Sequence, residues 1–182
     1  MLAGINNPAA AQHDPSNTNI SSEILLDGKR WTVTNLDLVT PDSYCYEDQE
    51  ANCRKYGRLY TWEAAKRGCE MLGNSWRLPT NEEWRAMAAH YGGIREEAAD
   101  GGKTAYKKLL KKRKAKFRAL LSGGRDADGE YKRLNAHGFY WTSTGGKTGE
   151  AWFYNFGKGS KILNRHPDGE QTGAFAVRCL QD

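Results

Sequence analysis

Apolar positions recur along this chain with two different periods, and the change from one to the other organises it. From Glu23 the run Ile24-Leu25-Leu26-Asp27-Gly28-Lys29-Arg30-Trp31-Thr32-Val33 reads as two short strands around an Asp-Gly turn, a pair that tolerates the positive φ of a tight hairpin. Between Tyr60 and Leu72 the spacing becomes helical. Trp62, Ala65, Cys69 and Leu72 fall on one face, Thr61 stands at the N-cap, and Gly73 takes the place of a left-handed C-cap. A second helix follows Pro79, where Thr80 and Glu83 have capping-box spacing. Trp84, Met87, Ala88 and Tyr91 form its stripe, and Gly92-Gly93 ends it. From Phe139 onward short strand-like runs take over: Phe139 to Ser143, Ala151 to Phe156, Ser160 to Leu163 and Ala174 to Leu180, parted by glycine-bearing turns. Strands, two helices and then a meander predict an α+β domain, its helices segregated from an antiparallel sheet.

Composition changes this picture in three places. The chain has 182 residues, enough for one core, so residues 23–182 are expected to form a single domain. The preceding residues 1–22 read as a flexible leader, because Asn6 to Ser22 is rich in Asn, Ser, Pro and Ala. No stretch approaches the roughly 20 apolar residues of a membrane helix, so membrane insertion of this chain is not expected. Charge is localised: nine Lys or Arg and no acid lie between Lys103 and Arg118, while the whole chain is only +5. We read residues of about 95–130 as a basic insertion, with Tyr106, Leu109, Leu110 and Phe117 on one side of a short helix. Such a run neutralises phosphates, which makes nucleic-acid binding one alternative function, beside that of a structural module of a cell-surface assembly, although solvated basic helices are common.

The four cysteines, Cys45, Cys53, Cys69 and Cys179, show no Cys-x-x-Cys spacing of a zinc or redox site. Two disulfides fit: Cys45 with Cys53 across a short polar loop, and Cys69 with Cys179 between a helix and the last strand. That points to a secreted or surface location; four buried free thiols in a cytosolic protein are the competing reading. His13, His90, His137 and His166 are scattered without metal-ligand spacing, and Asp126-Ala127-Asp128-Gly129-Glu130 reads as a polar turn before it reads as a calcium loop. No nucleophile elbow or phosphate loop is present, so no catalytic residue, metal or cofactor is expected.

Binding remains. Trp152, Tyr154, Asn155, Lys158, Lys161, Asn164, Arg165 and His166 mix rigid aromatic, amide and basic groups on short strands, a composition that suits a recognition surface. Tyr140 joins them as a candidate ligand contact. The plain alternative is a solvated sheet edge.

Several stretches then align with a known pattern: Tyr44-Cys45-Tyr46 through Asn52-Cys53, Lys55-Tyr56-Gly57-Arg58-Leu59-Tyr60-Thr61-Trp62-Glu63-Ala64-Ala65, Trp76-Arg77-Leu78-Pro79-Thr80 with Glu82-Glu83-Trp84, Gly138-Phe139-Tyr140-Trp141-Thr142-Ser143-Thr144, and Phe175-Ala176-Val177-Arg178-Cys179. In combination these resemble the Fib-succ-major paralogous-domain family. The resemblance implies a C-type-lectin-like fold, akin to formylglycine-generating-enzyme-type domains and to the variable proteins of diversity-generating retroelements. It implies a binder of a protein or glycan whose carboxyl-terminal surface is open to rewriting at adenine-rich codons. The family's usual Cys-Pro-x-Gly before Trp-x-Leu-Pro is not kept here; Cys69 sits earlier, within the second helical pattern's predecessor. The Glu-Pro-Asn and Gln-Pro-Asp tripeptides of calcium-dependent sugar binding are also missing.

Overall fold

The computed structural model describes residues 20–73, 75–111 and 116–182. Most of the leader, His13 and the centre of the basic run, residues 112–115, lie outside the described residues. The chain is mixed α and β. Strands β1 (Ser22–Ile24) and β2 (Arg30–Thr32) pair antiparallel around the Asp-Gly turn, with Gly28 at φ 77°. Then follow β3 (Ser43–Tyr44), α1 (Glu50–Tyr56), β4 (Leu59–Tyr60), α2 (Trp62–Glu70), β5 (Trp76–Arg77), α3 (Asn81–Tyr91) and α4 (Lys103–Leu110). The remainder is β6 (Ser122–Arg125), β7 (Tyr131–Leu134), β8 (His137–Gly145), β9 (Glu150–Gly157), β10 (Ile162–Glu170) and β11 (Leu180–Gln181).

Two sheets carry the architecture. One has the order β1-β2-β11-β5, so the second strand pairs with the last described one; the other has the order β10-β9-β8-β6-β7, and β3 and β4 make a small separate pair. The helices α2 and α3 begin as their sequence dictates. Thr61 and Thr80 are their N-caps, and at Thr80 the capping box is complete: its hydroxyl accepts from the Glu83 amide, while the Glu83 carboxylate accepts from the Thr80 amide. Trp84, Met87, Ala88 and Tyr91 of α3 are buried together with Trp31, Tyr140, Tyr154, Phe156, Leu163 and Leu180. A second apolar cluster gathers α2 with Trp141, Val177 and Cys179.

Both expected disulfides are present. Cys45 joins Cys53 with Cα atoms 4.9 Å apart, and Cys69 joins Cys179 with Cα atoms 5.5 Å apart. The latter fastens α2 to the residue before β11.

Four local expectations need correction. The loop between Cys45 and Cys53 leads into a helix, α1, whose two turns bury Cys53 and Tyr56 and are too short to display a period. Ala174 to Leu180 is not one strand. The backbone groups of Ala174 to Cys179 bond to Arg125, Tyr60, Phe139, Leu36 and Thr32 in turn, so these residues cross between sheets, and only Leu180 enters a ladder, as the start of β11. Phe117 is not on the basic helix; it lies beyond it, fully buried against Trp31 and Trp84. Finally, β6 was invisible because it is built on Gly123 and Gly124. A side chain at Gly123 would strike the Lys132 carbonyl at 2.6 Å, so close strand approach demands the residue that weakens the strand signal.

The described parts of the basic stretch contribute to the core. Ala105, Tyr106 and Leu109 of α4 are buried, and β6 is the sheet's fourth strand. Fully buried Arg178 holds the far end in place: Nε donates to Asn35 Oδ1 at 2.7 Å, Nη1 to the Phe117 and Thr32 carbonyls, and Nη2 to the Arg118 carbonyl at 2.9 Å. Its guanidinium lies over the Phe117 ring at 4.5 Å. Desolvation disfavours its charge, and these oxygens take up all three nitrogens.

Candidate functional site

Strand alternation divides the expected site residues between two faces of the sheet formed by β8, β9 and β10. Tyr140 stands opposite Tyr154 and Tyr154 opposite Arg165, so these share one face; Phe139 stands opposite Asn155, and Asn155 opposite Asn164, on the other.

The first face is covered by α3 and its neighbours. Tyr154 is fully buried, stacks on Trp84 with centroids 4.9 Å apart, and donates its hydroxyl to the Asn81 carbonyl at 3.1 Å. Burial pushes that hydroxyl's pKa well up. Tyr140 is equally buried, accepting from the Leu120 amide at 2.7 Å and donating to the Leu120 carbonyl at 3.1 Å. Neither ring offers a surface to a ligand, which corrects their expected role: helix α3 carries the complementary tryptophan, and the sequence of the strands alone does not say which face it meets. Trp152, half-buried, lies at the rim of this face beneath the Arg165 guanidinium, 5.1 Å from its centroid, and Arg165 is tied to Glu96 at 3.3 Å and Glu97 at 3.8 Å. Lys158 and Lys161 are exposed on the β9–β10 turn, away from both faces.

The second face is partly open: Trp141 and Phe139 are buried on it, while the remainder borders a cleft. Asn155 and His166 line an open cleft of about 660 Å³, floored by Phe139, Phe153 and Phe175. The rings form a continuous platform: Phe139 and Phe175 stack at 5.0 Å, Phe153 and His166 at 5.1 Å, and His137 and Phe139 at 5.4 Å. Polar groups on the floor are held in register. Asn155 Oδ1 lies 2.9 Å from His137 Nδ1, and Asn164 Nδ2 lies 3.2 Å from His166 Nε2. The β6–β7 turn supplies one wall with Arg125, Asp126 and Asp128; Arg133 stands beside it, and Asp168 and Glu170 of β10 line the cleft with them. Gly169 admits this arrangement, since a side chain there would meet Phe153 and Trp141, each at 2.7 Å.

Of the expected residues, then, Asn155 and His166 line the cleft and Asn164 supports it through His166. Phe139, Phe153, Phe175, Arg125, Arg133 and Asp168 were missed. The signal for the first two was in the alternation itself, because each sits one position before a tyrosine that proves to be core.

The Asp126–Glu130 stretch is the polar turn of the β6–β7 hairpin, its Asp126 amide bonded to the Glu130 carbonyl at 2.9 Å. Among the described residues no group of three His, Cys, Asp or Glu side chains is placed to hold a metal ion.

Comparison with curated proteins and with solved structures returned no match for this chain. The family model of the Fibrobacter succinogenes major domain matches residues 16–181, spanning both sheets, all four helices and the whole cleft, and the protein belongs to that family.

Proposed function

We propose that this protein is a binding domain that holds a protein or glycan ligand in the cleft over β8, β9 and β10. The observation that carries the reading is the open cleft floored by half-buried Phe153, Phe175 and His166 over buried Phe139, bordered by both carboxylates and guanidinium groups. Rigid rings supply contact area at little entropic cost, and the amide and charged rim supplies directional bonds. Binding fits the cleft better than catalysis. Asp126, Asp128, Asp168 and Glu170 are all exposed, which suits a polar recognition rim.

On this reading the frame is of the C-type-lectin-like kind, a view supported by the pairing of β2 with β11 at the two ends of the domain and by the adjacent helices α2 and α3. The two disulfides are compatible with an extracellular or surface location, and we infer that the domain is secreted or displayed. Asn155 and Asn164, encoded by adenine-rich codons, lie where a retroelement could diversify the cleft. Sequencing the locus across a natural population tests that part: substitutions confined to adenine-bearing codons of β8 to β10 support it, and invariance removes it.

The binding reading is tested by presenting the protein to glycan and peptide arrays and repeating every hit with Phe153→Ala and His166→Ala. Loss of about tenfold or more in affinity, with the thermal midpoint little changed, is expected. Ligands whose binding ignores both substitutions would overturn the assignment of the cleft.

A further inference from the structure

A second surface, separate from the cleft, has the opposite character. Helix α4 is anchored by buried Ala105, Tyr106 and Leu109, and its start is fixed by Asp100, which accepts from the Gly102 amide at 3.0 Å and the Thr104 amide at 2.8 Å. It therefore presents its outer face rigidly. That face carries Lys103, Lys107, Lys108 and Lys111, and among the described residues none of them has a carboxylate within ion-pair distance. Several other surface cations are paired: Lys29 with Glu83, Lys66 with Glu63, Arg85 with Glu97, Lys116 with Glu23 and Lys132 with Asp126.

One lysine is placed against the helix's own interest: Lys103 occupies the first turn, where the helix dipole favours an acid, and stands at i, i+4 spacing from Lys107. Lys107 and Lys108 occupy the last turn, where the dipole favours a cation, and helix α3 by contrast opens on Glu82 and Glu83. Thr104, Lys107, Lys108 and Lys111 surround a depression of about 170 Å³.

We propose that this face of α4 binds an anionic polysaccharide, the charged groups of the polymer lying along the lysine stripe. The observations select this polyanion over two others. Tyr106, the only ring on α4, is buried, so nucleic-acid bases have nothing to stack on. None of the exposed large apolar side chains among the described residues, Ile24, Leu26, Val39 and Met71, belongs to α4, so the helix itself brings no apolar group to insert into a lipid surface. Two disulfides accord with an extracellular setting, where polyanions are largely carbohydrate-borne. The proposal stands independently of the cleft.

The test uses the full chain with dextran sulfate as probe and neutral dextran as control, read by titration calorimetry. Dextran sulfate should bind, neutral dextran should not, and affinity should fall about tenfold or more between about 50 mM and 200 mM salt. Lys107→Glu/Lys111→Glu should weaken binding about tenfold or more, the milder Lys107→Gln/Lys111→Gln should weaken it less, and Lys158→Glu/Lys161→Glu on the β9–β10 turn should leave it near wild type. The Gln pair guards against a folding defect in the Glu pair. Lack of binding, equal loss from the turn variant, or tighter α4-dependent binding to duplex DNA or phosphatidylglycerol vesicles would each overturn the proposal.

Discussion

The two faces of the β8–β9–β10 sheet are written in adjacent letters of the same strands, yet one became core and the other, although it buries Trp141 and Phe139, leaves a cleft open to solvent. Tyr154 and Phe153 are neighbours in sequence. Tyr154 is sealed against Trp84, while Phe153 lies on the cleft floor beside His166. Their chemistry differs by one hydroxyl, and the buried residue is the one that carries it, satisfied by the Asn81 carbonyl. Aromatic character therefore does not separate core from site; the helix that covers one face does.

The comparison can be broken most severely at the Cys69–Cys179 bridge, which fastens the segment carrying Phe175 and Val177 and so supports both faces. With 110 residues between its ends, its removal by paired serine substitution should cost about 4–5 kcal/mol in denaturant unfolding. The Cys45–Cys53 bridge, with a separation of 8, should cost about 2–3 kcal/mol and leave the cleft intact. Equal losses would mean that the longer bridge does not fasten both faces.

Next in size is Tyr154→Ala, expected to destabilise the fold by about 3–5 kcal/mol, since it opens a cavity against Trp84 and unpairs the Asn81 carbonyl. Phe153→Ala should cost about 2 kcal/mol or less, because that ring is only half-buried, and should spend its main effect on ligand affinity. A Phe153 variant as unstable as the Tyr154 variant would place the cleft floor in the core.

The smallest effect concerns the cover over the buried face. Arg77 donates to the Glu83 carboxylate at 2.7 and 2.8 Å, and Lys29 and the Thr80 amide add bonds, which together hold its pKa well below the usual carboxylate range despite partial burial. A depressed folded pKa stabilises above the unfolded value of about 4.3 and is lost as pH falls below it. Stability should decline by roughly 1–2 kcal/mol as pH drops from about 4.3 towards 2, and Glu83→Gln should flatten that slope while lowering stability at neutral pH. An unchanged slope in the variant would move the acid sensitivity elsewhere.

Much of this was legible beforehand. The Asp-Gly hairpin, the Thr61 and Thr80 helix starts, the stripe of α3 and both cysteine pairs follow from rules that act within a few residues or, for the cysteines, from what the helix and last strand must do to meet. The candidate site was only half legible. The strand bearing Trp152, Tyr154 and Asn155 was found, but which phase faced outward was not, so two core tyrosines were taken for ligand contacts while Phe139 and Phe153 were passed over.

Local signals determined the α+β class, the caps and the turn, because propensity, capping and turn chemistry are settled by neighbours in sequence. Only the tertiary structure decided the rest. The side of the sheet that α3 covers, the crossing of Ala174 to Cys179 between two sheets, and the burial of Arg178 among carbonyls from distant segments all depend on residues far away along the chain. A period of two says that the faces of a strand differ, and it carries no information about which of them a remote helix will cover.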